Sequence, residues 1–349
     1  MRIALAQTSP ISAPSGPAAL EKPHSSSPFP TLDENLVGAV KAVEHAVAQK
    51  ADIVVFPEYF LQGIANESRQ YLTFPAAHLL AFIQSLAKRY NVAIVGSIVH
   101  GALPLSAEGQ SFPASSPFSH IPLSCTGSPR PTKITPSQLE WAKFLEQNLP
   151  TTEENSEPVL KNTAFYVEAG TGELKGDYVK RNLWHPERDY LTAGEEEHQV
   201  FETKWGKAGL LICWDMSHPA AAQALADLGV DIIFAPTYWL ATDSEPVRAD
   251  QTRLIHNHPH QHNYETEVVS ALCMVRSFET ETVFVMCNAG GDEIEGFMGG
   301  SGVWAPLRGC VAKMGAAEGV QVVEVDPSVL KDGRKTYKIR EDWSRREAS

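Results

Sequence analysis

Cys213 ends the apolar run "GLLIC" and is followed at once by Trp214 and then, past Pro219, by an alanine-rich segment that reads as a helix. A thiol at a strand end that turns directly into a helix would stand above the sheet edge and face the helix's first amides. Those N–H groups favour a thiolate and can hold a developing oxyanion. A buried structural cysteine is the competing reading, because cysteine is among the commonest interior residues. Two further apolar runs also end in charge: "DIVVFP" is followed by Glu58 and "GDYV" by Lys180. Ligands of open α/β sheets bind outside the carboxyl ends of the strands. Three such ends would set a carboxylate, an ammonium and a thiol around one crevice. Glu58 could take the thiol proton, Lys180 could stabilise negative charge, and Cys213 could attack carbon.

The elements that must position these groups are legible in the hydrophobic pattern. "RIALAQT" reads as a first strand, and the Pro- and Ser-rich segment from Ser9 to Pro30 as a loop. "LDENLVGAVKAVEHAVAQK" carries Leu36, Val37, Val40, Val43 and Val47 at helical spacing. The strand "ADIVVFPEYF", stopped by Pro57, the amphipathic helix "HLLAFIQSLAKRYN" and the strand "VAIVGSIVH" follow. Near-continuous apolar strands alternating with helices predict an α/β fold whose sheet is covered by helices. Farther on, two strands are expected around the turn "GTGE", then the strand–helix–strand unit that contains Cys213. "TEVVSALCMVRSFETE" is a further helix, followed by the strand "TVFVMCNAGG". "GGSGVWAP" and "GVQVVEVDP" are late strands joined by "LRGCVAKMGAAE". Residues 103–158 break this rhythm, being dense in Pro and Ser with one helical candidate, "PSQLEWAKFLEQN". A loop of that length inside a compact domain is usually functional or disordered.

Composition narrows the class. The chain has 349 residues, and 29 basic against 42 acidic side chains leave a formal net charge of −13. That balance disfavours a nucleic-acid or anionic-membrane partner, which needs clustered Lys and Arg. Five cysteines, an odd number with no CxxC pair, imply reduced thiols and a cytoplasmic location. "MRIALAQTSP" has no long apolar core of a signal peptide, and no run approaches the roughly 18 apolar residues of a membrane span.

"DIVVFPEYF", "YVKRNLWHPERDYL" and "LLICWDMSHPAA" resemble, in this order, the three signature segments of the nitrilase superfamily of carbon–nitrogen hydrolases. The resemblance extends from "MRIALAQT" through "VMCNAGG" and "GGSGVWAP" to "YKIRED". It implies an α-β-β-α sandwich, a single domain over 1–349 with the 103–158 insertion, and a catalytic set of Glu58, Lys180, Cys213 and a second glutamate, Glu187. Asp189 is a rival for that last place, and a salt bridge from Glu187 to Arg181 or Arg188 is its plainer role. The implied chemistry is covalent: Cys213 adds to an amide or nitrile carbon, Lys180 and the Trp214 N–H stabilise the charge, and water cleaves a thioester. It needs no metal or organic cofactor.

"CWDM" at the nucleophile looks more like the amidase and N-carbamoyl-amide branches than like true nitrilases. The expected substrate is therefore a small linear amide or carbamoyl compound. A nitrile substrate, acyl transfer to an amine, and an inactive binding module are the alternatives. Tyr238, Trp239 and Asn288, with Trp214, are expected at the substrate, and Asp215 is expected to cap the following helix. The insertion, around Trp141 and Phe144, is expected either to lid the pocket or to form a surface loop. Cys273, Cys287 and Cys310 read as core or structural residues. The tract with His256, His258, His260 and His262 could bind Zn or Ni, but a flexible loop is the favoured reading. Segments Pro219–Leu228 and Glu267–Phe278 are expected to pair two or more copies of the chain.

Overall fold

A computed structural model describes residues 1–13, 27–102, 111–125, 133–148, 159–244 and 264–347. Two six-stranded sheets carry the fold. The first contains β1 (Arg2–Gln7), β2 (Ile53–Val55), β3 (Ala93–Ala102), β4 (Val159–Val167), β5 (Leu174–Val179) and, at its far edge, β12 (Gly319–Glu324), in the order β12-β1-β2-β3-β4-β5. The second contains β6 (Val200–Thr203), β7 (Gly206–Leu210), β8 (Ile232–Thr237), β9 (Val283–Asn288), β10 (Gly302–Ala305) and β11 (Gly309–Lys313), in the order β11-β10-β9-β8-β7-β6. Strands β1, β2 and β3 run parallel, as do β7, β8 and β9, while the flanking strands are antiparallel.

The near-continuous apolar strands have two buried faces, and alternate residues serve different layers. Ile3, Leu5, Ile53, Val55, Ala93 and Val95 turn to the core shared with Ile233, Phe234 and Val285 of the other sheet. Ala4, Ala6, Val54 and Ile94 turn the other way, against the helices α1 (Pro30–Ala48) and α2 (Ala76–Tyr90). The second sheet is covered by α4 (Pro219–Asp227) and α5 (Tyr264–Glu279). This is the expected α-β-β-α sandwich. The alanine face of α4 settles on its own sheet, with Ala221, Ala222, Leu225 and Ala226 buried.

Between α2 and α4, the insertion contributes α3 (Pro136–Asn148), which covers the expected helical candidate. The "GTGE" turn joins β4 to β5, and Gly170 and Gly172 both take positive φ, +73° and +70°. A Cβ at Gly172 would lie 2.5 Å from the Gln84 carbonyl oxygen, so a side chain there would be strained and obstructed. Two late features depart from the sequence reading. The segment read as a plain connection contains β11, and β12 does not join β10 but crosses to pair antiparallel with β1. Edge pairing of this kind is set by packing across the whole sandwich, and no local pattern reports it. The C-terminal helices α6 (Val329–Tyr337) and α7 (Ile339–Glu347) are fastened back to the second sheet by Arg334 on Asp231 and by Arg340 on the Val230 and Thr280 carbonyls. No helix among the described residues is long and apolar enough to cross a membrane.

Candidate active site

Glu58 follows β2, and its N–H donates to the Thr237 carbonyl at the end of β8, 3.3 Å away. That bond stitches the two sheets together at the rim where the site lies. Lys180 follows β5, its N–H bonded to the Asn162 carbonyl at 2.9 Å and its own carbonyl accepting from Gly194 at 2.9 Å. Glu187 lies in the 3₁₀ turn His185–Asp189, and Cys213 opens another, Cys213–Ser217. Strand β7 therefore passes into a 3₁₀ turn before any helix, and α4 starts only at Pro219. This corrects the expectation that the thiol faces the first amides of a helix. Cys213 also takes φ = +45°, as Tyr59 takes +60°. A left-handed conformation at a non-glycine residue costs about 1–3 kcal/mol and persists only where its surroundings over-determine it.

Three buried side chains interlock. Lys180 Nζ lies 2.8 Å from Glu58 Oε1 and 2.7 Å from Glu187 Oε1, with the lysine fully enclosed. Glu58 Oε1 also accepts from Asn162 Nδ2 at 2.7 Å, and Oε2 accepts from the Tyr238 N–H at 3.0 Å. Glu187 accepts from the Tyr59 hydroxyl on Oε1 and from the Trp184 N–H on Oε2 at 2.7 Å. The Cys213 thiol lies beside the Glu58 carboxyl, near enough for the Glu58 charge to act on it, and its sulfur lies 3.8 Å from the Tyr238 carbonyl. Glu58, Lys180, Glu187 and Cys213 thus meet at one rim. Glu187 pairs with Lys180, and the salt bridge to Arg181 or Arg188 does not form.

The electrostatics follow from burial and from a shortage of positive charge. Burial raises Glu58 to a pKa of about 7, with Lys180 pulling down and Glu187 pushing up. Burial alone would lower Lys180, but the Glu58 and Glu187 charges outweigh it and hold the ammonium well above its ordinary value. Cys213 is pushed well above the usual thiol range, first by burial and then by Glu58, against the pull of Lys180. A thiol raised in this way needs a base to give up its proton.

A cleft of about 410 Å³ opens onto this set, lined by Cys213, Glu187, Tyr59, Trp184, Trp214, Tyr238 and Trp239 among others. Trp184 meets Trp214 edge-on at 4.4 Å between centroids, and Trp214 meets Trp239 at 5.2 Å, so three indoles in series form one wall. Asp189 also reaches the lining, without joining the buried cluster. Asn288 corrects the sequence reading: it is fully buried, lies outside the lining, and spends its amide on Trp239 N, Trp239 O and Gly299 O. It holds the Tyr238–Trp239 backbone in place from behind the cleft wall.

Asp215 caps its own 3₁₀ turn by accepting from the Ile212 N–H at 2.9 Å, whereas residue His218 stands at the start of α4. The described part of the insertion does not reach the cleft. Trp141 is fully buried against Phe29, Phe112 and Phe144 on the outer side of the first sheet, so these residues form no lid. Cys273 and Cys287 are buried as expected, but Cys310, on edge strand β11, is exposed. The histidine tract at 256–262 lies outside the described residues. Sequence reading missed Asn162 and Tyr59, which hold the two carboxylates. An asparagine inside strand β4 and a tyrosine directly after Glu58 were the available signals.

The carbon-nitrogen hydrolase family model matches residues 2–112 and 148–335. The unmatched stretch between them falls inside the insertion. A probable nitrilase of Schizosaccharomyces pombe is 28% identical over 190 residues, covering 54% of this chain and 61% of the relative. An N-carbamoylputrescine amidase of Arabidopsis thaliana is 29% identical over 191 residues, covering 52% and 62%. The chain therefore spans about three-fifths of the length of these relatives. The crystal structure of a carbon-nitrogen hydrolase from Helicobacter pylori G27 superimposes with a TM-score of 0.67 at 17% identity, covering 98% of this chain and 94% of that one. A variant of the Nesterenkonia sp. AN1 amidase, carrying acrylamide added to its active-site cysteine, gives 0.57 at 19% identity, covering 98% and 99%. Likenesses at such identities speak to the fold, which is the sandwich described above. The match over both segments, on either side of the insertion, carries the conclusion that this chain belongs to the carbon-nitrogen hydrolase family.

Proposed function

We propose that the chain hydrolyses a small linear amide or N-carbamoyl compound through a thioester on Cys213. The observation that carries this reading is the single ammonium of Lys180 shared by two buried carboxylates, one of which stands beside a thiol that lines a cleft. Glu58 takes the Sγ proton as the sulfur adds to the carbonyl carbon. The oxyanion that forms is met by Lys180 and by the Trp214 N–H, donors fixed before the charge develops. Glu58 returns its proton to the leaving nitrogen, the C–N bond breaks, and ammonia or an amine departs. Water then attacks the thioester, with Glu58 or Glu187 accepting its proton, and sulfur leaves as the thiol.

The test is a panel of linear amides, N-carbamoyl compounds and nitriles offered to the purified protein, with ammonia release compared between wild type and Cys213→Ala. Turnover of amide or carbamoyl substrates that vanishes in the variant supports the reading. Turnover of nitriles alone would assign the alternative chemistry, and activity retained in Cys213→Ala would overturn both. For assembly, we read α5 and its surroundings as a self-pairing face, since Met274, Val275, Phe278 and Leu228 are large apolar side chains left exposed. Sedimentation velocity on the wild type and on Phe278→Glu tests that assembly.

A further inference from the structure

The Asp215 carboxylate is fully enclosed and lies outside the cleft lining, yet it touches both halves of the site. On one side its Oδ2 accepts from Ile212 N–H at 2.9 Å, the peptide immediately before the nucleophile. On the other, Oδ1 accepts from Asn182 N–H at 3.0 Å and from Asn182 Nδ2 at 2.8 Å. The Tyr178 hydroxyl, which accepts from Arg181 N–H at 3.3 Å, lies near enough for the Asp215 charge to raise its pKa, after burial. Tyr178 and Asn182 stand two residues before and two after Lys180. One carboxylate from the second sheet therefore grips the lysine segment of the first sheet just after the catalytic ammonium, at Asn182, and faces it just before, at Tyr178.

We infer that Asp215 is a positioning residue that fixes the Cys213 turn against the Lys180 segment, and so sets the distance from the thiol to the groups that must receive its proton and its substrate's charge. The inference rests on the proposed roles of Cys213 and Lys180. Its physical basis is the strain at Cys213. With φ at +45° the nucleophile does not hold its conformation on local preference, so the turn must be tied from outside. The tie consists of charge-assisted hydrogen bonds in a buried setting, which are short, directional and about twice as strong as neutral ones. A carboxylate is required because every group it meets here is a donor. An asparagine in its place would turn an NH₂ towards the Ile212 N–H or towards Asn182, and one side of the grip would open.

The experiment compares wild type, Asp215→Asn, Asn182→Ala and Tyr178→Phe on the substrate found in the panel. kcat is normalised to the number of Cys213 sites titrated with iodoacetamide and read by intact mass. A turn displaced by an ångström costs on the order of 100-fold in rate. Asp215→Asn is thus expected to lower normalised kcat about 100-fold with KM changed less than about threefold, and the two partner variants to lower it about tenfold each. A purely structural role would lower the melting temperature and the number of titratable sites, and leave the normalised kcat unchanged. Normalised kcat within twofold of wild type for Asp215→Asn overturns the inference. Should that variant fail to fold, Asn182→Ala and Tyr178→Phe decide the matter on the same twofold criterion. If no substrate is turned over by wild type, or Cys213→Ala retains activity, it is the proposed function that fails.

Discussion

Asn162 Nδ2 donates to Glu58 Oε1 at 2.7 Å, on the same oxygen that Lys180 Nζ approaches at 2.8 Å. Two donors therefore converge on one oxygen of the buried Glu58 carboxyl, and the other, Oε2, accepts from the Tyr238 N–H. Replacing Asn162 with Ala removes a hydrogen bond to a charged group, worth about 1.5–3 kcal/mol, or roughly 10- to 100-fold in rate. Because that bond favours the ionised carboxylate, its loss should also move the acidic limb of kcat/KM upward. Rate and pH profiles of Asn162→Ala check both effects.

In the wild type, kcat/KM should fall about tenfold per pH unit below about 7, where Glu58 becomes protonated and can no longer serve as the proposed base toward Cys213. The same group has a stability signature. Its pKa is raised from 4.5 to about 7 on folding, so the native state binds more protons than the unfolded state between those values. Its contribution to stability is then fully present below 4.5 and is lost as pH rises through 7. Denaturation midpoints of wild type and Glu58→Gln across that window should show the variant with the flatter profile.

Lys180→Met leaves the buried Glu58 and Glu187 facing each other with no cation between them. A broken buried pair of this kind costs about 3–5 kcal/mol, and loss of the proposed oxyanion donor roughly 100- to 1,000-fold in kcat. Adding Glu187→Gln should recover part of the stability without restoring turnover. Urea denaturation and single-turnover kinetics on the single and double variants separate the two.

Trp141 is buried among aromatic rings on α3, away from the cleft. Trp141→Ala should therefore destabilise the protein by about 3–5 kcal/mol and leave KM within twofold of wild type. A large KM change at full stability would reinstate the insertion as part of the substrate site.

The cleft lining carries Glu187, Asp189 and Asp243, and among the described residues no Lys, Arg or His joins them. Asp243 is raised to about 6, by burial first and then by the nearby Glu265 and Glu187 charges. An anionic amide should accordingly be turned over with a kcat/KM at least about tenfold below its neutral isostere, a difference that shrinks at high ionic strength. Paired carboxylate and carboxamide substrates at low and high salt test this.

The residues proposed to do the chemistry were legible from sequence because strand ends are. Apolar runs that stop at Glu58, Lys180 and Cys213 report a local event, the emergence of a chain from a buried sheet, and the periodicity of α1, α2 and α3 reports another. What sequence alone left open was every relation between distant segments. Lys180 lies 122 residues from Glu58, and only the packing of one sheet on the other turns their separate strand ends into an ion pair. The 3₁₀ turn and positive φ at Cys213, the grip of Asp215 on Asn182, and the crossing of β12 to β1 have the same origin. Each depends on donors and acceptors supplied from elsewhere in the fold, and a buried polar group must find its partner wherever the sandwich places one.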